Sequence, residues 1–577
     1  MKNPAAGLLA SRILFAAGFL CTGLFSDASA CLFSALYAGL FFLQLDREKK
    51  QGVRVYTGTP VLFLMLPVYG LAVTLWAVDR GMNLIGFGRY AGIFFWTLTL
   101  MQYEKEERYT LLSLLPDLMA LEVLLALPAR LPALKSLFYV AGRYGGTLQY
   151  PNTFAMLCVA ALVILAIPGC SQKHWFGSTE SNSKKGRILR IAEIFLLACG
   201  VFLSGSRTGF LLFIIGLIAL FFLSKKDRGI FAAALILPAA AAVLYAGMTG
   251  DLSDVGRFLT ISGKESTLLG RLLYWKDGLR ILKTHPFGLG YLGYYYLEPL
   301  MQTGYYSVRM IHNDLLQIAL DLGIIPAIVL AAGYIVRIIR KSTDPYIRLL
   351  LILMGLHFLV DFDLGFLSVW YLIILIFMLE PDGKEMILPS AGKRLLILSS
   401  VPVACFSLYL GVGLIPFATG NAQTALAMVP FDTEAGEQVL RSETDPEKAE
   451  QLAGSILSQN PYIASAWEVR SFTALRNKDY ERVVSDGKQA VLLQKYEIKA
   501  YEDYLELLSN AVSSAVESGS EEEIRMLLNA VIGIPDMLEQ VKAQTDPMAY
   551  EIRDVPVLEL SDEYRVYVEQ AKSIMED

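Results

Sequence analysis

Histidine is scarce in this chain of 577 residues: only His174, His285, His312 and His357 occur. No two of them share a spacing that reads as a metal site. The six cysteines, at 21, 31, 158, 170, 199 and 405, sit in or beside apolar runs. That placement excludes a secreted disulfide framework and a paired Cys-x-x-Cys zinc site. Cys21 and Cys31 read as small buried residues. Charge is also sparse, at 18% of residues against 54% hydrophobic. A string of soluble domains of roughly 150 residues each is therefore a poor description, whereas repeated apolar runs of roughly twenty residues fit bilayer spans. The first run, 7–25, follows only Lys2 and Arg12 and lacks a small-residue cleavage site. It reads as a retained helix and not a signal peptide.

The formal charge of −5 averages two unlike parts. Residues 1–415 hold 36 Lys and Arg against 25 Asp and Glu, a balance of +11, while residues 416–577 hold 14 against 30, a balance of −16. A basic apolar body thus carries an acidic tail. Candidate spans in the body are 7–25, 28–45, 58–77, 84–102, 110–128, 151–169, 189–204, 208–223 and 229–248, then 313–336, 347–361, 364–380 and 395–415. The expected fold is all-α, a polytopic transmembrane bundle of about 12 to 13 spans followed by a soluble helical repeat domain.

Lys and Arg in short connections set the orientation. Arg47, Lys49, Lys50 and Arg54, then Lys105 and Arg108, then Lys184, Lys185, Arg187 and Arg190, and later Arg337, Arg340, Lys341 and Arg348 fall on alternate connections. That side is cytoplasmic, together with the N-terminus. An odd number of spans places the acidic tail outside. The longest outer connection, 249–312, is of a length that is commonly functional. It carries Arg257, Lys264, Arg271, Lys276, Arg280, Lys283 and Arg309, a surface suited to an anion.

Four features converge on that outer face. Arg143 opens a glycine-rich turn that leads through Pro151 and Asn152 into the sixth span, with proline suited to a first helical turn. The sequence Ser-Gly-Ser-Arg-Thr-Gly at 204–209 joins two spans with almost no loop, so Arg207 sits at the membrane surface, where an arginine is costly unless paired, snorkelling or functional. The amides of the following helix start add positive potential there. An amphipathic segment from about 268 to 283, with Leu269, Leu272, Leu273, Leu279 and Leu282 interleaved with cations, suits the interface. It contains Arg271 and precedes His285. Finally His312, followed by Asn313 and Asp314, opens the tenth span, where a histidine titrates near neutrality and accepts a hydroxyl proton.

Ser-Arg-Thr-Gly at 206–209, Gly-Arg-x-x-x-Trp at 270–275, His-Pro-Phe-Gly-x-Gly at 285–290 and His-Asn-Asp at 312–314, in this order, resemble the O-antigen ligase and polymerase superfamily. The resemblance covers about 140–340 by motif. It implies metal-independent glycosyl transfer, with no cofactor, on the outer face of the cytoplasmic membrane, from an undecaprenyl-diphosphate-linked glycan to an acceptor hydroxyl. Arg207 and Arg271 fall on the family's diphosphate-binding arginines and His312 on its proposed base. Arg143 and Asn152 match a looser entry motif, and Asn313 and His285 stand as supporting residues. Asp321 falls where the family often has an acidic residue before a glycine. A single displacement inverts the anomeric centre, whereas a covalent intermediate needs a close pair of carboxylates, for which Asp314 is the nearby candidate. Surface polysaccharide polymerase and protein O-oligosaccharyltransferase remain open within the superfamily, because lipid, protein and polymer acceptors use the same donor chemistry. Cell-surface polysaccharide or glycoconjugate synthesis is the implied setting, and nothing in the chain suggests nucleic acid.

Among the acids of the spans, Asp117 and Glu122 lie deep, and pairing with a neighbouring helix is the default for both. Asp361 and Asp363 fall at an outer boundary where solvation is cheap; a proton or ion pathway is the functional reading of all four. A lipid-linked oligosaccharide flippase or other transporter is the alternative of another class. It predicts internal repeats and a polar path through the membrane, and the body shows no convincing repeat. A scaffold whose tail is the working part leaves Arg207, Arg271 and His312 coexisting by chance.

Beyond residue 417 the pattern changes to amphipathic helices. Tyr462 aligns with Tyr496, Ala466 with Ala500 and Trp467 with Tyr501, all at an offset of 34, the tetratricopeptide period. The stretch 446–512 resembles such repeats, which present a concave surface to a peptide or protein partner. The plainer reading is a helical cap over the outer loop. Tyr462, Trp467, Tyr480, Tyr496, Tyr501 and Tyr504 read as packing between repeats and not as sugar platforms. The division is a transmembrane ligase-like body, 1–415, with an outer loop, 249–312, and an extracytoplasmic tail, 416–577.

Overall fold

The computed structural model describes residues 4–47, 52–170, 184–225, 227–234, 236 and 266–576. Most of the expected ninth span, and residues 249–265 of the long connection with Arg257 and Lys264, lie outside the described residues. The described chain is almost wholly helical, with two two-stranded ribbons. In the body the helices are α1 (Pro4–Leu20), α2 (Asp27–Arg47), α3 (Pro60–Val73), α4 (Arg80–Gln102), α5 (Lys105–Leu112), α6 (Leu114–Leu125), α7 (Pro132–Phe138), α8 (Pro151–Ala166), α9 (Lys184–Ser204) and α10 (Arg207–Leu223). They continue with α11 (Ser266–Thr284), α12 (Gly293–Met301), α13 (Asp314–Leu322), α14 (Ile324–Ile339), α15 (Pro345–Phe358), α16 (Leu367–Leu379) and α17 (Ser390–Gly413). Among the described residues three stretches, Asp27–Leu45, Arg80–Gln102 and Ser390–Ala418, are long and apolar enough to cross a membrane, and seven more apolar helices are shorter.

Local chemistry sets the helix starts. Proline occupies the first turn of α3, α8 and α15, where its missing N–H costs nothing. Asp79 and Asp344 cap α4 and α15 by accepting backbone N–H groups at 2.8 Å. The run 313–336, expected as one span, is two helices, because Gly323 takes φ +99° between α13 and α14. A side chain is excluded there in any case, since a Cβ on Gly323 would lie 2.8 Å from the Phe287 carbonyl carbon. The run 110–128 likewise divides between α5 and α6.

Helices α8 and α16 are buried on every side from Thr153 to Ala166 and from Leu367 to Leu379, so they form the centre of the bundle. Arg89 in α4 is only 1% exposed, but its two terminal nitrogens donate to the carbonyls of Phe25, Leu24 and Gly365 and to Asp27 at 2.9 Å. It ties the α1–α2 turn to the turn between α15 and α16. At the opposite end of the bundle β1 (Val53–Tyr56) pairs antiparallel with the strand Glu385–Leu388, Val53 facing Leu388. This joins two connections expected to share one face, and Arg54 with Glu104 and Lys105 with Glu380 flank it. Cys31 is buried as expected, whereas Cys21 is exposed.

The tail comprises α18 (Ala422–Met428), α19 (Thr433–Ser442), α20 (Pro446–Gln459), α21 (Ala464–Arg476), α22 (Tyr480–Leu492), α23 (Ile498–Ser518), α24 (Glu521–Ile532), α25 (Ile534–Gln544) and α26 (Asp562–Glu576). Helices α20 and α22 begin at Pro446 and Tyr480, and α21 and α23 at Ala464 and Ile498, so the 34-residue offset recurs in the element starts. Tyr480, Tyr496, Tyr501 and Tyr504 are buried between these helices.

Residues 266–312 carry α11 and α12, and the tail packs on this segment. Arg309 makes a two-pronged pair with Glu434, Lys276 pairs with Asp546, and Lys495 donates to the Leu300 carbonyl at 2.6 Å. Leu273 and Tyr306 pack on Ala549 and Ile552. Asp79 also accepts from Thr433 and from Asn460 at 3.0 Å, which fastens the tail to the bundle. Within this seam Glu298 is 1% exposed. Burial, reinforced by the charge of Asp277, pushes its carboxyl up to about 9, and burial brings Lys495 down to about 8.

Candidate functional site

The turn between α15 and α16 carries Asp361, and four side chains from three separate segments converge on its carboxylate. Tyr150, just before α8, donates from its hydroxyl to Oδ1 at 2.6 Å. Asn152, in the first turn of α8, donates from Nδ2 to Oδ2 at 2.8 Å. Arg271 on α11 reaches Oδ2 with Nη2 at 3.2 Å and spends Nη1 on the Val360 carbonyl. His312, just before α13, places Nδ1 3.4 Å from Oδ1. The Phe362 amide adds a fifth donor at 3.0 Å. The Asp361 side chain is 0% exposed, whereas Arg271 and His312 keep 15% and 21% of their side-chain surface. The expectation of a cheaply solvated carboxylate is thus corrected: position along the chain put Asp361 at a boundary, but the turn folds it inward beneath donors from other elements. Asp363 is equally buried, held by His357 at 2.5 Å and Thr153 at 2.6 Å.

His312 owes its orientation to its backbone. Its φ is +54°, a left-handed conformation that costs a non-glycine residue energy unless its surroundings enforce it. Trp275, one turn beyond Arg271 on α11, donates its indole N–H to the carbonyls of Ile311 and His312 at 3.1 and 3.3 Å. Asn313 caps α13 through the Leu316 amide and donates to the Leu359 carbonyl, both at 2.9 Å. The Phe362 ring meets the imidazole edge-on, with centroids 4.8 Å apart. With Nδ1 beside an acceptor-only carboxylate, Nε2 is the nitrogen left for an incoming group.

Arg143, on the short ribbon of Tyr139–Val140 with Arg143–Tyr144, donates to the Ser204 carbonyl at 2.9 Å and to Asn152 Oδ1 at 2.6 Å. It therefore links the end of α9 to the Asp361 cluster. Arg207 is half-buried at the first position of α10, three residues beyond Ser204, and Ser206 caps that helix by accepting from Gly209 at 3.2 Å. His285 bonds Thr284 at 2.9 Å at the far end of α11, about 21 Å along the helix from Arg271 at 1.5 Å per residue. Asp321 is held by Gln317 at 2.9 Å, Glu122 accepts from the Thr147 amide at 3.0 Å, and Asp314 accepts from the Leu364 amide at 3.1 Å. Of the residues singled out by sequence, His312, Arg271, Asn152, Arg143 and Asn313 form one connected network. Tyr150, Trp275 and Asp361 complete it.

Beside this network an apolar groove of about 400 Å³ runs between α3, α14, α15 and α16. Asp314, Leu315, Leu359 and Leu364 line it near the network, and Ile338 and Phe377 line it deeper in the bundle.

No curated protein and no solved structure matches the chain. A family model described as O-antigen ligase matches residues 192–332, a segment that includes Arg207, Arg271, Trp275 and His312. This segment is thus similar to the O-antigen ligase family, and the match together with the apolar helices supports a membrane protein with a glycosyltransferase-type function in polysaccharide synthesis.

Proposed function

We propose that the chain is a polytopic membrane glycosyltransferase of the cytoplasmic membrane that moves a glycan from an undecaprenyl diphosphate to an acceptor hydroxyl on the outer face. The body, 1–415, carries the reaction, and the tail, 416–577, is a tetratricopeptide-like domain on the same outer side. The observation that carries this reading is the placement of His312 and Arg271 on one buried carboxylate, two residues along the chain from Leu359, which lines an apolar groove. A polyprenyl chain suits the groove, and its diphosphate then lies beside the arginines.

Arg271 spends two of its N–H bonds on the protein and keeps the others for phosphate oxygens, with Arg207 as the second cation. As the bond between the anomeric carbon and the diphosphate breaks, charge grows on the leaving oxygen, and the guanidiniums stabilise it. His312 Nε2 takes the acceptor's hydroxyl proton while the acceptor oxygen bonds to the anomeric carbon. The products are the glycosylated acceptor, undecaprenyl diphosphate and an imidazolium paired with Asp361, which passes its proton to water. One displacement inverts the centre, and the protein's own cations neutralise the leaving group.

The test is transfer by purified protein in liposomes from a lipid-diphosphate glycan, in the presence of chelator, with the product sought in lipid, protein and polymer fractions by mass spectrometry. His312→Ala is expected to abolish transfer while the protein still accumulates and folds. Full activity in that variant removes the base, and a requirement for a divalent cation overturns the metal-free mechanism.

A further inference from the structure

Asp361 divides its two oxygens unequally. Oδ1 receives Tyr150 at 2.6 Å and the Phe362 amide at 3.0 Å, and His312 comes third at 3.4 Å. Oδ2 is shared by Asn152 at 2.8 Å and Arg271 at 3.2 Å. The two shortest side-chain bonds thus come from Tyr150 and Asn152, which flank Pro151. Proline at the first helical position and an extended Tyr150 (φ −138°, ψ 103°) leave the Tyr150 side chain out of any capping bond. Asn152 meets two unlike partners, donating to the carboxylate while accepting from the Arg143 guanidinium. The amide, with a donor and an acceptor on one carbon, satisfies both.

We propose that Tyr150 and Asn152 are positioning residues for the transfer reaction: they draw the Asp361 carboxylate away from His312 and so set the pH at which His312 becomes a competent base. Hydrogen bonds to a carboxylate disperse its charge, so every donor it holds weakens its pull on the imidazolium. The charged and titratable groups acting on Asp361 are Arg271 from α11, His312 from the segment before α13, Asp314 at the start of α13, His357 from α15 and Tyr150 from the turn before α8. Tyr150 and Asn152 are the two among its donors that are neither the arginine nor the proposed base and are not part of its own turn. Asn152 has a second consequence. Through Arg143 it ties Asp361 to Ser204, three residues before Arg207, so base and diphosphate arginine are held in one frame.

This inference rests on the reading of His312 as the base, and the experiment separates the two. The pH dependence of kcat/KM for glycan transfer is measured for wild type, Tyr150→Phe, Asn152→Ala and His312→Ala. Tyr150→Phe keeps the ring against Phe362, with centroids 4.5 Å apart, and removes only the hydroxyl. Its acid limb is expected to move to higher pH by up to about one unit, the size of one charge-assisted hydrogen bond. Asn152→Ala is expected to move the limb in the same direction and also to raise KM for the lipid donor, while Tyr150→Phe leaves that KM unchanged. If His312→Ala is inactive and both other variants fold and follow the wild-type profile, the positioning role is overturned and the base stands. If His312→Ala is fully active, the reading of the site itself falls. If Tyr150→Phe does not fold, the profile of Asn152→Ala decides alone, and a coincident acid limb overturns the proposal.

Discussion

Asp361→Asn is the sharpest perturbation of this site, because it changes one atom of a side chain with no exposed surface. In the native turn the carboxylate accepts from Tyr150, Asn152, Arg271, His312 and the Phe362 amide. An asparagine keeps one acceptor oxygen, so Tyr150 and the Phe362 amide retain a partner, but its NH2 then faces Arg271 and the Asn152 amide as a donor against donors. Removing one member of a buried ion pair costs about 3–5 kcal/mol. With Arg271 15% exposed and still bonded to the Val360 carbonyl, water and that carbonyl recover part of it, leaving about 2–3 kcal/mol. If this loss falls on the transition state, transfer slows by about 30- to 160-fold, since each 1.36 kcal/mol is tenfold. The assay is initial-rate glycan transfer in liposomes, run beside thermal unfolding in detergent. The double variant with His312→Ala is expected to be no slower than His312→Ala alone, because the two act as a unit. Transfer by Asp361→Asn within about threefold of wild type, a loss below about 1 kcal/mol, refutes the reasoning if unfolding is also unchanged.

Two further outcomes test the seam between tail and outer connection. Glu298 is an acid whose folded pKa stands near 9 against an ordinary 4.5, so between those values the folded state holds a proton that the unfolded chain has released. Stability from this group is full below about pH 4.5 and is lost as pH rises toward 9; relative to Glu298→Gln, wild type is expected to lose thermal stability steadily from pH 5 to 9, and a constant difference between the two contradicts the burial argument. Gly304→Val places a Cβ 2.7 Å from Ala549 Cβ and 2.8 Å from Leu273 Cδ2. Overpacking of this kind costs about 1–3 kcal/mol, and hydrogen exchange is expected to quicken in 546–552 and 269–277; unchanged exchange in both segments shows that the tail does not brace α11 at this point.

Arg271 and His312 were both legible from their motifs, yet nothing in their spacing connects them. Their common partner Asp361 lies 49 positions from His312 and 209 from Asn152, at the end of an apolar run where a carboxylate reads as solvated. The signal present in the sequence was weak: an acid next to an aromatic, Asp361 before Phe362, without any helical or loop periodicity linking it to a histidine. Trp275 was visible within Gly-Arg-x-x-x-Trp, but its task of holding the carbonyls of Ile311 and His312 depends on how α11 lies against the start of α13. The same separation of scales holds for Arg89, an arginine within an apolar run whose four acceptors come from two distant turns.

Hydropathy is a local property, and it determined most of the helices of the body: twelve of the thirteen expected runs coincide with described helices or helix pairs. The change of charge near residue 415 and the 34-residue offset of the tail are likewise one-dimensional patterns, and the offset recurs in the starts of α20 to α23. The tertiary structure alone decided which polar groups meet. A buried carboxylate must find donors, and the side-chain donors nearest in space came from three segments far apart in the chain. Packing also decided the role of the tail, because Glu434, Asn460 and Asp546 became partners of Arg309, Asp79 and Lys276 only when the helices docked. Periodicity specifies a helix because every residue reports on its own neighbours within a turn or two, whereas a site assembled from helix ends is specified by contacts that no local pattern records.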